Sequence, residues 1–551
     1  MKLFTFLFQT SWQSLTIAIV TGFVSGGSSA GLIALISRAL NLSGRGTDLS
    51  TLAWGFVGLA VVALVSSIIS QILLIHLAQK AIFQLRLNLS RQILTAELTH
   101  LEQLGAPRLL ANLTEDVQAI ADAVRLFPFL CIDLAIVAGC MLYITWLSWQ
   151  TFLMVCVLTV VALGSCRWLL KRGQQFLALA RDEQDQLFKQ FRAVTDGTKE
   201  LKLNYWRRQA FLKHELGNTA VSYRRYNVEG LTMFAITSSW GKLLFFFAVG
   251  FILFALPKLM TLPPQTLAGF VLTFTYLMLP MDRLVNSLPL LSRAGIAFHK
   301  IEILGLSLSD RAEPTTIPAT TLPTWQALRF KGVTHFYGSD QQDTHFVLGP
   351  LDLTLQAGDL VFIVGGNGSG KSTLAKLITG LYLPEMGEIW LDDQQITNQN
   401  REWYRQHFSV VFADFYLFDR LLGITDADLD DRASNYLQRL NLDHKVSILD
   451  GKLSTTNLSQ GQRKRLTLLT AYLEDRPIYL FDEWASDQDP VFKDLFYREF
   501  LPQLKDQGKT VLVITHDDRY FNLCDRLIKL DYGQIEYDQR LEHLSSASAT
   551  S

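Results

Sequence analysis

The sequence predicts an α-helical domain that crosses a membrane six times, joined to an α/β domain built around a phosphate-binding loop. Three observations carry this reading. Long apolar stretches fill the first 306 residues and then stop. The remainder alternates short β-like apolar runs with helical segments, and one run opens into a glycine-rich loop ending Lys371-Ser372-Thr373. The composition suits both halves: of 551 residues, 49% are hydrophobic and only 18% charged, a balance expected of lipid-facing helices beside a soluble domain. A net charge of −1 excludes any general pull toward nucleic acid.

A bilayer core of about 30 Å needs roughly 20 apolar residues in a helix. Six stretches qualify, near 15–40, 52–77, 126–147, 150–170, 232–257 and 265–290. The small residues Gly26-Gly27-Ser28-Ser29-Ala30 could mimic a cleavage site, but apolar character resumes at Gly31. The reading is therefore a short interfacial helix and a first span, not a cleaved signal. Two long basic stretches follow the second and fourth spans, whereas the connections after the third and fifth carry almost no charge. Basic residues stay on the cytoplasmic side, which places both basic stretches, the N-terminus and the C-terminal domain in the cytoplasm.

Both basic stretches have helical apolar spacing and read as spans that run on into the cytoplasm, turn and return. The first turn is expected near Gly105-Ala106-Pro107, with Leu109 to Leu113 pressing on the C-terminal domain. The expected division is a membrane domain over 1–306, a Ser/Thr/Pro-rich linker over 307–325, a nucleotide-binding domain over 326–540 and a disordered tail over 541–551. The five cysteines form no CxxC pair and read as small packed hydrophobes.

The strongest chemical signal is Gly365-Gly366-Asn367-Gly368-Ser369-Gly370-Lys371-Ser372-Thr373, which fits GxxxxGK[ST] between a buried strand and a helix. Glycines let backbone N–H groups converge on phosphate oxygens, and the helix N-terminus adds partial positive charge. Lys371 is expected to reach the β- and γ-phosphates of ATP, and Ser372 to place its hydroxyl on Mg²⁺. A second apolar strand ends in Asp482-Glu483. Asp482 at the end of a buried strand suits Mg²⁺ support, and Glu483 suits a base that orients or deprotonates the attacking water. A third segment, Leu458-Ser459-Gln460-Gly461-Gln462, runs into basic Arg463-Lys464-Arg465.

That third segment resembles the signature sequence of ABC proteins. The order of phosphate loop, signature and acid pair, with six spans before them, resembles ABC exporter half-transporters of the type IV (type I exporter-like) fold. The resemblance implies that Tyr337 stacks on adenine and that His516 contacts the γ-phosphate. It also implies that Ser459, Gln460, Gly461 and Gln462 close over ATP bound by a second copy, so that the working form is a homodimer. Two departures stand out. Ala413 occupies the place of a glutamine that senses phosphate and metal, with Asp414 adjacent as a replacement. Trp484 follows Glu483 where proline is common.

Phe412-Ala413-Asp414-Phe415 and Asp482-Glu483-Trp484-Ala485-Ser486-Asp487-Gln488-Asp489-Pro490 together resemble bacterial exporters of cyclic peptides and siderophore precursors. The expected function is ATP-driven export of an amphipathic peptide across the bacterial inner membrane, in contact with membrane lipid. A lipid or multidrug exporter is the first alternative. An ATP-gated channel or regulatory subunit is an alternative of another class. Residues 107–116 and 197–202 resemble the coupling segments of ABC exporters. Asp133, inside the third span, is an acid whose cost demands a partner or a function, and Pro280 suggests a kink where the sixth helix leaves the membrane.

Overall fold

The computed structural model describes residues 12–42, 50–255, 258, 264–314, 324–337, 346–424 and 428–541. Residues 1–11, where the interfacial helix is expected, residues 315–323 of the linker and residues 542–551 of the tail lie outside them. The chain divides into two compact units. One comprises Met1–Leu89 with Leu110–Leu304, and the other Ser90–Leu109 with Gly305–Ser551.

The membrane unit is built from long helices: α1 (Trp12–Leu42), α2 (Ser50–Thr95), and then, past two short helices α3 (Leu98–Leu104) and α4 (Ala106–Ala111), α5 (Val117–Leu147). It continues with α6 (Trp149–Asp196), the short α7 (Thr198–Leu203) and α8 (Tyr205–Ala210), α9 (Gly217–Gly250) and α10 (Pro264–Asp310). Helices suit this setting because every backbone donor and acceptor is bonded within its own segment. Among the described residues, five helical stretches are long and apolar enough to cross a membrane, and α6, at 48 residues, is the sixth long helix. α10 continues to Asp310, into the stretch read as linker, with Pro280 and Pro289 inside it.

Small residues set the closest approach in this unit. A Cβ on Gly26 of α1 would lie 2.5 Å from the Cβ of Ala135 on α5, and one on Gly139 would lie 2.9 Å from that of Ala30. Gly26/Ala30 and Ala135/Gly139 are thus two small-residue pairs at helical spacing that interlock, the packing mode lipid-embedded helices favour. That contact gives the small-residue run of α1 a structural reason. Asp133 is almost fully buried and pairs with Arg283 of α10 at 2.9 Å, so the acid has the partner its position demands.

The second unit holds two sheets. In the four-stranded antiparallel sheet the order is β2-β1-β4-β5, with β1 Ala327–Tyr337, β2 Phe346–Gln356, β4 Met386–Leu391 and β5 Gln394–Gln395. The six-stranded sheet has the order β12-β11-β3-β10-β9-β6, from β3 Leu360–Gly365, β6 Phe408–Val411, β9 Ile478–Asp482, β10 Thr510–Ile514, β11 Arg526–Asp531 and β12 Gln534–Arg540. β6, β9, β10, β3 and β11 run parallel, and β12 returns antiparallel at the edge. The central strands are continuous apolar runs because both faces are covered. Leu360, Phe362 and Val364 enter one apolar cluster with Tyr479, Phe481, Val511 and Val513, while Val361 and Ile363 enter the other with Ile478, Leu480, Leu512 and Ile514. The strand period of two thus divides one sheet between two cores.

Candidate active site

The phosphate loop follows β3 and leads into α11 (Lys371–Ile378). Its glycines are required by the backbone. Gly365, Gly368 and Gly370 have φ of 154°, 78° and 100°, and a Cβ on Gly365 would lie 2.3 Å from the carbonyl oxygen of Leu530. Lys371 is buried and curls back, its Nζ donating to Gly365 O at 3.0 Å and Gly366 O at 2.9 Å. Burial lowers the pKa of its ammonium, while the nearby charges of Glu483 and Asp482 oppose that shift. The Ser369 hydroxyl is buried within the loop without a partner among the described residues. Asn367, Gly366 and Gly368 lie exposed on its outer side, and Ser372 and Thr373 open the helix.

Asp482 ends β9 and is almost fully buried. Burial raises its carboxyl pKa first, Glu483 and Asp414 add to the rise, and hydrogen bonding with Ser372 and the charge of Lys371 oppose it. Its Oδ1 has no hydrogen-bond partner among the described residues. An orphaned carboxylate oxygen beside a serine hydroxyl is a hard-oxygen pair, which fits Mg²⁺ that keeps waters and phosphate oxygens as its other ligands. No group of three or more His, Cys, Asp or Glu side chains able to hold a metal occurs among the described residues.

Glu483 sits in a left-handed backbone conformation at φ 49°, a strained position for a residue with a side chain. Its amide donates to Ile514 O at 3.0 Å, and its Oε1 lies 3.0 Å from Nε2 of His516, just beyond β10. Asp414 lies exposed in the turn after β6, close enough to Asp482 for its charge to act on that carboxyl. Tyr337 ends β1 with its ring half-exposed, beside exposed Phe336.

The signature segment opens a helix. Ser459 caps α14 (Gln460–Glu474) in a reciprocal box, Ser459 Oγ accepting from the Gln462 amide and the Gln462 side chain accepting from the Ser459 amide. Gly461 allows close approach, since a Cβ there would lie 3.1 Å from Asp487 O. Among the described residues no hydrogen bond joins this segment to the phosphate loop of the same chain. It is tied to the loop after Glu483: Gln460 Nε2 donates to Asp487 at 3.1 Å, and Gln488 Nε2 to Gly461 O at 3.0 Å.

Two residues that sequence reasoning left without a role organise this junction. Lys464, read only as part of a basic run, is buried and donates to Glu483 O and Ser486 Oγ, each at 3.1 Å, and pairs with Asp487 at 2.7 Å. Trp484 is buried against Phe496, with ring centroids 4.4 Å apart, and its indole N–H donates to Lys464 O at 2.8 Å. The missed signal was periodicity: Lys464 stands four residues before buried Leu468, on the apolar face of α14.

The expected contact of the first cytoplasmic hairpin lies elsewhere than predicted. Leu113 packs in the membrane unit's own core. Leu98 of α3 instead packs on the ATPase cluster, and Lys376 of α11 donates to Glu102 at 2.7 Å. The Tyr382 hydroxyl also bonds Glu102, and its ring stacks on His335, two residues before Tyr337, at 4.7 Å between centroids. Arg401 pairs with Glu313 at 3.0 Å and Glu97 at 3.5 Å. The acids at 97 and 102 find cations there, whereas Leu113 packs among apolar side chains and Leu110 is exposed. At the second hairpin, residues 197–202 fall on the turn and α7, followed by exposed Leu203, Tyr205 and Trp206.

Comparison with known proteins adds to this geometry. The profile "ABC transporter transmembrane region" matches residues 9–281, and the profile "ABC transporter" matches residues 348–486. The chain is 38% identical over 530 residues to the ATP-binding protein SyrD of Pseudomonas syringae pv. syringae, covering 94% of this chain and 93% of that protein. It is 25% identical over 544 residues to an ATP-dependent lipid A-core flippase of Thiobacillus denitrificans, covering 95% and 92%. Among solved structures, a bacterial Atm1-family exporter with ATP bound superposes with a TM-score of 0.76 at 17% identity, covering 97% of this chain and 95% of that one.

Proposed function

The chain belongs to the ABC transporter family, with membrane region and ATPase on one polypeptide, and from that premise we propose that two copies together export an amphipathic peptide. It is an ATP-hydrolysing exporter of the bacterial inner membrane. The observation that supports the export reading is a transmembrane region and an ATPase matched on one chain, in a fold shared with a bacterial ABC exporter. The peptide reading is supported by Phe412-Ala413-Asp414 and Glu483-Trp484, the departures that resemble exporters of cyclic peptides and siderophore precursors.

The residues divide the reaction among themselves. Gly365 to Thr373 hold the phosphates, and Lys371 exchanges its two carbonyl partners for phosphate oxygens. Tyr337 stacks on the adenine. Ser372 and Asp482, with Asp414 nearby, would hold Mg²⁺, which supplies charge neutralisation on the phosphates. Glu483 takes or orients the proton of the attacking water, and His516 fixes the Glu483 carboxylate and reaches the γ-phosphate. Ser459, Gln460, Gly461 and Gln462 complete the site of the second copy. ATP binding the closed pair better than the open one drives the change of access.

The similarity to lipid A-core flippases favours a second reading, in which the cargo is a lipid. Proteoliposomes containing only this chain separate the two. Peptide export requires ATP-dependent uptake of a cyclic peptide in inverted orientation and a rise in ATP turnover with peptide. A rise with lipid alone and no peptide uptake would overturn the peptide cargo. The absence of any vectorial uptake would point to a channel or regulatory subunit.

A further inference from the structure

The membrane unit contains a cavity of 1080 Å³ between α6, α9 and α10. Its walls are strongly apolar. From α9 and the single helical turn that follows it come Phe246, Phe247, Phe251 and Phe254, and from α10 come Met278 and Met281. Phenylalanine and methionine are the side chains that accommodate varied apolar shapes, methionine through its flexible thioether.

One end of the same cavity is polar. Arg167 of α6, Lys242 and Ser238 of α9 and Asp282 of α10 line it. This level is braced by Trp240, whose indole N–H donates to Ser165 at 3.2 Å, and by Ser238, which donates to Asp282 at 3.4 Å. The next residue, Arg283, is already paired with buried Asp133. Among the described residues neither Arg167 nor Lys242 has an ion-pair or hydrogen-bond partner. Two exposed cations and one weakly bonded carboxylate therefore line one cavity, beside apolar walls and within a membrane domain, where an ionisable side chain marks a ligand path by default. Lys242 and Phe254 are twelve residues apart on one helical course, about 18 Å at the helical rise. That length separates the cationic end from the farthest aromatic ring.

We propose that this cavity binds the cargo, and that the cargo is a peptide carrying an apolar chain and a free carboxylate, the carboxylate seated at Arg167 and Lys242. This rests on the peptide-export reading and adds the cargo's chemistry to it. Charge complementarity argues for an acid, since Asp282 offsets only one of the two cations that line the cavity. The volume argues for one chain and a compact peptide, because it lies just above that of ordinary small-ligand pockets, about 300–1,000 Å³.

The test is equilibrium binding of an N-lauroyl pentapeptide with a free C-terminus, and of its C-terminal amide, to the full chain in phosphatidylcholine nanodiscs. The acid should bind at least tenfold tighter than the amide. Lys242→Gln and Arg167→Gln should erase that preference while leaving the affinity for the amide, and Lys242→Arg should restore it. ATP binding to each variant reports that it is folded. Equal binding of acid and amide to the native chain, or a preference that survives both substitutions, overturns the inference while leaving peptide export standing. If neither peptide binds, the peptide reading falls first. If phosphatidylglycerol nanodiscs abolish acid binding, the anionic group belongs to a lipid and the peptide assignment of this cavity is overturned.

Discussion

The ATPase unit and the membrane unit place their charges in opposite ways. In the ATPase unit Lys371, Lys464, Asp482 and Arg401 are buried, and their partners come from different elements. Lys464 joins a helix to the loop after β9, and Arg401 joins a short helix to Glu97 and Glu313. Among the described residues of the membrane unit, buried Asp133 pairs with half-exposed Arg283, and two cations line an apolar cavity. The difference teaches where chemistry is fixed by the fold and where it awaits a ligand. Each of these buried charges holds one geometry because removing its partner strands it. Unpaired cations along a cavity specify a ligand instead.

The largest effect that sharpens this contrast is expected at Glu483. Its carboxylate is held by His516, on a backbone bent into the left-handed region, so its position is prepared before the water arrives. Glu483→Gln keeps the shape and removes the base, and phosphate release should fall by about 10²–10⁴-fold with ATP binding retained. Hydrolysis at the native rate would remove Glu483 from the reaction. Next comes Trp484, whose ring fills the core beside Phe496 and whose N–H reaches Lys464 O. Trp484→Ala should cost about 3–5 kcal/mol of stability. Trp484→Phe keeps most of the packing and loses only the indole hydrogen bond, since Lys464 O also accepts from the Thr467 hydroxyl at 2.7 Å, a loss of about 0.5–1.5 kcal/mol. If both variants unfold with the native chain in urea, the junction is not a structural tie.

These residues also mark how far the sequence could be read. The phosphate loop was legible because its backbone needs positive φ at Gly365, Gly368 and Gly370, and few other residues supply it. The acid pair was legible because Ile478 to Phe481 is a fully buried strand, and a charge at its end needs a reason. Trp484 was visible only as a departure. Its reason lies in how α14 approaches the loop after β9, a distance in sequence that no local pattern reports. The same holds for Glu102, whose partners Lys376 and Tyr382 lie more than 270 residues further on. The resemblance of residues 107–116 to a coupling segment instead drew attention to the leucines that follow Glu102. The cavity was illegible for a related reason: α6, α9 and α10 are apolar on several faces, so only their packing shows which phenylalanines face one space.

A smaller effect tests whether Asp414 acts with Asp482. It is exposed, yet its charge bears on Asp482, and Ala413 beside it offers no polar atom. Asp414→Ala should lower Mg²⁺-dependent turnover about tenfold, the effect of about 1.4 kcal/mol on a barrier, and Asp414→Gln should recover part of it. Turnover that stays native in the alanine variant would confine metal support to Ser372 and Asp482.

The smallest effect concerns the loop that carries the junction. Asp489 caps α15 (Pro490–Leu495) by accepting from the Phe492 amide at 2.9 Å, and it also pairs with Arg465 at 2.6 Å. The cap bond first, and Arg465 after it, hold its carboxyl below the usual aspartate range. A carboxyl lowered by folding adds stability above the ordinary aspartate pKa and loses it as pH falls through the lowered one. Asp489→Ala should therefore lose the cap at neutral pH, about 0.5–2 kcal/mol. Asp489→Asn keeps a capping oxygen and loses only charge, so its deficit should be smaller still, because the side chain is half-exposed and screened. Thermal midpoints of the full chain from neutral to acid pH decide the matter. The gap between native protein and Asp489→Asn must close as the native carboxyl takes up its proton. A gap that stays constant into acid would mean that the substitution disturbs packing and that the charge of Asp489 does not set the shape of this loop.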